Sequence, residues 1–147
     1  MIKGIHHVAI GVADLETGIA FYRDAFGFEV LSVGELSNDQ AADRCIGLDN
    51  CKAGVAMLKA PNAYVELWSY QNPAPKKMTQ RPCDYGYPHF ALQVTNLDDE
   101  YERLKDKGMT FGNIPQSFGE TSAIYGQDPF GNIIELYEIR DESTPQL

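Results

Sequence analysis

The chain has 147 residues, 44% hydrophobic and 22% charged, enough for one ordinary core and too well mixed for a disordered tail, a fibre or a multidomain assembly. Its 21 acidic residues outnumber 12 basic ones for a net charge of −9, and no stripe of Lys and Arg could track a phosphate backbone, so nucleic acid is not an expected partner. The longest apolar runs are the four residues Ile19 to Tyr22 and Val55 to Leu58, too short to span a bilayer.

The opening residues, Met1 to Ile5, carry no signal-type apolar segment, and Cys45, Cys51 and Cys83 are odd in number and without C-x-x-C spacing. Free thiols in the cytoplasm, away from membranes, are the expectation. Val8, Ile10 and Val12 alternate as in a half-buried strand. Asp14 is placed to cap a helix with apolar positions Leu15, Ile19, Tyr22 and Phe26, ended by Gly27. Strand-like segments follow at Phe28 to Val33, Gly54 to Lys59 and Ala63 to Tyr70, with an irregular or short helical excursion over Ser37 to Asn50 and a turn at Pro61-Asn62. Gln71 to Tyr85, with Pro73, Pro75 and Pro82, reads as a linker.

The pattern then recurs. Phe90, Leu92 and Val94 alternate, Asn96 is placed to cap a helix through Leu97, Tyr101 and Leu104 that ends at Gly108, and strands are expected at Met109 to Ile114, Thr121 to Gln127 and Asn132 to Ile139. Asp128-Pro129-Phe130-Gly131 supplies a turn between the last two. Asp141 to Leu147 is a polar tail, expected to be loose.

This recurrence is an internal repeat. Ile5 to Leu15 aligns with Tyr87 to Leu97 at an offset of 82, placing His7 over His89, and Ala63 to Trp68 aligns with Asn132 to Tyr137 at an offset of 69, placing Glu66 over Glu135. The halves differ by 13 residues inserted in the first. Each reads strand, helix, strand, strand, strand, an α+β arrangement of two βαβββ modules over residues 1–70 and 86–140, with 71–85 between and 141–147 after them.

Side-chain parity converts this map into chemistry. The bulky aliphatics take the helix-packed face, leaving His7, Tyr64, Glu66 and Trp68 on the other face in the first half, and His89, Glu135 and Tyr137 in the second. His6 has the parity of Val8 and reads as a hydrogen-bonded structural residue. A carboxylate facing a partly dry concavity costs several kcal/mol unless something positive meets it, and no Lys or Arg shares these faces. Two imidazoles and two carboxylates, His7, Glu66, His89 and Glu135, would instead form the ligand shell of a divalent Ni, Co, Fe, Mn or Zn ion, with open positions left for water or substrate.

The motifs His7-Val8-Ala9-Ile10 with Asp14-Leu15, Phe21 to Phe28, His89-Phe90-Ala91-Leu92-Gln93-Val94, and Asp128 to Leu136 resemble the vicinal oxygen chelate superfamily, the glyoxalase, bleomycin-resistance and extradiol dioxygenase proteins, over nearly the whole chain. The resemblance implies a glyoxalase-like fold, in which two βαβββ modules form a curved, partly open mixed barrel around a metal. It places the ligands at His7, Glu66, His89 and Glu135, the set found in glyoxalase I-like members. Extradiol dioxygenases ligate Fe(II) with two His and one carboxylate, so Glu66 counts against them, and no glutathione-binding arginine pattern is present.

The activity implied is that of a metal-dependent lyase or isomerase, which removes a proton beside a carbonyl while the metal stabilises the enediolate. Glu135 is the first candidate base and Glu66 the second; Tyr64, Trp68 and Tyr137 are candidate substrate-contacting walls for a small molecule. An acyl-CoA epimerase, an Fe(II) extradiol-type dioxygenase and a non-catalytic small-molecule binding protein are the alternatives. A homodimer is the expected assembly.

Overall fold

The structure, a computed structural model, describes residues 1–77 and 81–147. Its elements are β1 (His7–Gly11), α1 (Leu15–Phe26), β2 (Glu29–Ser37), α2 (Gln40–Ile46), β3 (Lys52–Lys59), β4 (Tyr64–Asn72), β5 (Phe90–Val94), α3 (Leu97–Asp106), β6 (Thr110–Phe111), β7 (Gln116–Ser117), β8 (Thr121–Gln127) and β9 (Ile133–Ile139). They form two compact units, Met1–Lys77 and Met78–Leu147.

In the first unit a four-stranded sheet runs β1-β4-β3-β2. β1 lies parallel to β4, pairing His7 with Tyr64 and Ala9 with Glu66, and the other neighbours are antiparallel. One face is apolar because the period-2 pattern puts Ile10, Val12, Ala56, Leu58, Val65 and Leu67 on the same side, and all are buried. Covering this face is α1, which starts where Asp14 accepts the Thr17 N–H at 2.8 Å and stops at Gly27, whose φ of 71° closes the helix. Its inward stripe is Gly18, Phe21, Tyr22 and Ala25. A Cβ on Gly18 would stand 3.3 Å from the Val12 methyls, so glycine there lets helix and strand approach closely. Burying Leu67 and Leu58 contributes about 1.5–3 kcal/mol each.

The second unit repeats the plan with β5-β9-β8-β6, β7 pairing with β8. β5 is parallel to β9, pairing Ala91 with Glu135, and β8 is antiparallel to it, pairing Tyr125 with Glu135. Leu97, Leu104, Met109, Ile124, Ile134 and Leu136 make its apolar core. Beneath the β8–β9 turn Asp128 is buried, its carboxylate accepting the Phe130 and Asn132 N–H groups, each at 2.9 Å.

Several expectations need correction. Asn96 does not cap α3: with φ at 56° its side chain makes no capping bond, and its N–H donates instead to Glu138 Oε1 at 2.9 Å. The segment Met109 to Ile114 narrows to the two residues of β6, followed by β7, because Gly112 and Pro115 interrupt the ladder. Conversely, β2 runs four residues past Val33, whereas the short helical excursion expected within Ser37 to Asn50 is present as α2, after its N-cap Asp39. Strand β4 reaches Asn72, inside the segment read as a linker; Met78, Thr79 and Gln80 of that segment lie outside the described residues. The tail is partly tied down, the Leu147 N–H donating to Gln93 Oε1 at 2.8 Å. Among the described residues no helix is long and apolar enough to cross a membrane.

Candidate metal centre

Each unit brings one predicted histidine to one predicted glutamate. The cause is the parallel pairing: in the first unit Ala9 lies opposite Glu66, so His7, two residues earlier on the same face, reaches along β4 to the carboxylate. His7 Nε2 stands 3.6 Å from Glu66 Oε2. In the second unit Ala91 lies opposite Glu135, and His89 Nε2 stands 3.2 Å from Glu135 Oε2. The carboxylates are the more enclosed members, their side chains 19% and 17% exposed.

The surroundings of the two pairs differ. Trp68, two residues beyond Glu66 on the same face, donates its indole N–H to Glu66 Oε2 at 2.6 Å and stacks on Tyr70 with ring centres 5.2 Å apart and planes at 14°. Tyr64 lies over His6 at 4.9 Å, and His6 Nδ1 approaches His7 Nδ1 to 2.9 Å. His6 is thus hydrogen-bonded, as expected, but to the imidazole of His7. In the second unit Tyr125 packs on the His89 ring at 4.7 Å, with its hydroxyl 3.5 Å from His89 Nε2. Burial pushes the Tyr125 phenol above its ordinary value, and the charge of Glu135 adds to the shift. The Tyr70 phenol is also raised, by burial first and then by Cys51 and Glu66. Tyr137 shares the face of Glu135, opposite Ala123 on β8.

Tyr125 is a functional candidate that residue type and local pattern do not single out. Its signal is the β8–β9 register, which sets it directly across from Glu135. Among the described residues no three His, Cys, Asp or Glu side chains gather into a metal cluster, so what each unit holds is a two-donor pair. The donor chemistry of each pair fits a divalent ion. Two ligands about 2.1 Å from one ion and at right angles stand about 3 Å apart, close to the separations of imidazole and carboxylate here. Among the described residues the ion-pair partners of Glu66 and Glu135 are these histidines, not Lys or Arg.

Two sheets on a βαβββ-like plan, with α2 added in the first and β7 in the second, each set a His at or just before the start of one strand beside a Glu on the parallel strand and define a glyoxalase-like α+β protein. The chain belongs to the Glyoxalase/Bleomycin resistance protein/Dioxygenase superfamily, whose defining pattern matches residues 4–136. It is 28% identical to a 2-epi-5-epi-valiolone epimerase of an Actinomyces species, covering 92% of this chain and 79% of that one. To the lactoylglutathione lyase of Salmonella typhimurium it is 27% identical, covering 92% of each. A solved glyoxalase family protein from Bacillus cereus shares its fold with a TM-score of 0.84 at 22% identity, over 96% of this chain and 97% of that one.

Proposed function

We propose that the protein is a divalent-metal-dependent lyase or isomerase that removes a proton from a carbon beside a carbonyl of a small-molecule substrate. His7, Glu66, His89 and Glu135 are its metal ligands, one imidazole and one carboxylate from each half. The observation that carries this reading is the independent occurrence, in both repeats, of a His–Glu pair set by the same parallel register at 3.6 and 3.2 Å. A lone pair of this kind is an ordinary surface contact; its duplication at equivalent positions of a repeat is not explained by packing.

Bound to these residues, a divalent ion would supply the positive charge that stabilises the carbonyl oxygen as the carbon loses its proton. The chain's own part is to hold, orient and carry the proton. The Trp68 N–H tethers one oxygen of Glu66 and keeps that carboxylate in place. Glu135 has no indole tether and is the freer group to turn toward a substrate carbon, so we assign it the base role, with Glu66 as its counterpart. Tyr64, Trp68 and Tyr137 wall the inner faces against water and contact the substrate. An epimerase would return the proton to the opposite side of the same carbon, so the similarity to an epimerase and to a lyase supports the same first step.

The test begins with metal-free protein titrated separately with Ni, Co, Zn, Mn and Fe(II), followed by a screen of 2-oxo substrates and acyl-CoA epimers in deuterium oxide. Stoichiometric metal, lost in both His7→Ala and His89→Ala, and deuterium incorporation abolished in Glu135→Gln are expected. Metal binding indifferent to both histidines would overturn the assignment.

A further inference from the structure

The repeat places His6 over Pro88 just as it places His7 over His89, and the two histidines consequently stand in different settings. In the second unit the residue before His89 has no polar side chain, and His89 Nδ1 is buried without a hydrogen-bond partner. In the first unit His7 Nδ1 is 2.9 Å from His6 Nδ1, the rings edge to face with planes at 90°. His6 is itself fixed at two points, its ring against Tyr64 at 4.9 Å and its carbonyl accepting the Tyr64 N–H at 3.1 Å.

Two ring nitrogens at 2.9 Å share one proton: one donates and the other accepts. Where His7 donates from Nδ1, its proton inventory leaves a bare lone pair on Nε2, the nitrogen that faces Glu66 at 3.6 Å. A histidine that binds a metal through one nitrogen is oriented by whatever accepts the proton of the other.

Resting on the metal-ligand reading above, we propose that His6 is a positioning residue. It accepts the Nδ1 proton of His7, locks that ring in the orientation and tautomer that present Nε2 to a divalent cation, and is buttressed by Tyr64. The second half lacks this device because proline stands at the matching place. The two histidine ligands are therefore unequal, His7 being preorganised by its neighbour and His89 held mainly by Glu135 and Tyr125.

The test uses the metal-free full chain and Co(II) alone, with affinity read from the visible absorption of the bound ion and the fold checked by thermal melting. His6→Ala is expected to weaken Co(II) binding roughly 10- to 100-fold with an unchanged melt. His6→Asn, whose side-chain oxygen sits near the place of Nδ1, is expected to restore most of that loss, and Pro88→Ala to bind as the parent does. Co(II) bound equally well by His6→Ala, while His7→Ala binds poorly, overturns the positioning role and leaves the ligand assignment standing. A His6→Asn variant as weak as His6→Ala also overturns it, since packing on Tyr64 would then be what matters. Co(II) affinity unmoved by His7→Ala overturns the ligand assignment itself.

Discussion

Replacing Trp68 by Phe isolates the bond that holds Glu66. The indole N–H donates to Glu66 Oε2 at 2.6 Å, while the ring stacks on Tyr70 at 5.2 Å; phenylalanine keeps most of the ring and removes the donor. A hydrogen bond to a charged acceptor is worth about 1.5–3 kcal/mol when water is excluded. Here the Glu66 side chain is 19% exposed, so water replaces part of the loss and the expected destabilisation is about 1–2 kcal/mol. For a chain of this size each kcal/mol lowers the melting temperature by about 2–4 °C. Urea titrations at neutral pH give the number directly, provided the slope m is unchanged. A cycle with Glu66→Ala and the double variant separates this bond from lost packing, because only the Trp68–Glu66 term survives the subtraction. A coupling energy near 1 kcal/mol is expected. If the two single effects simply add, Trp68 does not hold Glu66 and the argument that leaves Glu135 as the mobile carboxylate fails with it.

Two further outcomes follow from the framework around the site. Gly126 lies on β8 beneath Phe111 and Met109, and a Cβ there would meet Phe111 Cε1 at 2.5 Å and Met109 Cε at 2.6 Å. Gly126→Ala should cost about 1–3 kcal/mol by overpacking, whereas Gly112→Ala, with open space around its Cβ, should stay within about 0.5 kcal/mol of the parent; equal urea midpoints for the two would refute the packing account. Asp14, whose hydrogen bonds from Thr17 hold its carboxyl below the ordinary 3.8, stabilises the fold above that value and loses its contribution as pH falls through the lower folded value. Asp14→Asn keeps the cap but not the titration, so its stability should fall less steeply than the parent's as the pH drops below about 3.8, and identical slopes would refute this.

Where one sheet face is buried and the other is not, the sequence showed it. Val8, Ile10 and Val12 alternate because that side of β1 faces the core while His7, Ala9 and Gly11 are exposed; β8, where Ser122, Ala123 and Ile124 are all buried, is marked instead by the turn residues Asp128 to Gly131 that follow it. The strand β2 is exposed on both faces along most of its length, so no alternation marked its far end, and only pairing with β3 as far as Ser37 opposite Lys52 defines it. Asn96 carried a capping residue type without capping geometry, since backbone conformation decides whether the side chain reaches the helix N–H groups. The His–Glu pairs were legible because duplication repeated them at equal parity. Tyr125 was not, since its place depends on a cross-strand register that no local pattern encodes, and neither was the role of His6, whose parity with Val8 points to the helix-packed face although its ring meets His7 and Tyr64.

The two halves thus keep one geometric rule and support it with different chemistry. Parallel register alone suffices to bring His to Glu, because a residue two places before the pairing position projects from the same face. What holds each pair is then free to diverge. In the first half nitrogen donors and acceptors flank it, His6 beside His7 and Trp68 on Glu66; in the second a phenol, Tyr125, faces the imidazole. A carboxylate clamped by an indole is suited to staying put, and one whose neighbours are a histidine and a tyrosine is suited to exchanging partners. On the reading proposed above, that division of labour lets a duplicated pair serve a reaction that needs one carboxylate to hold and one to move a proton.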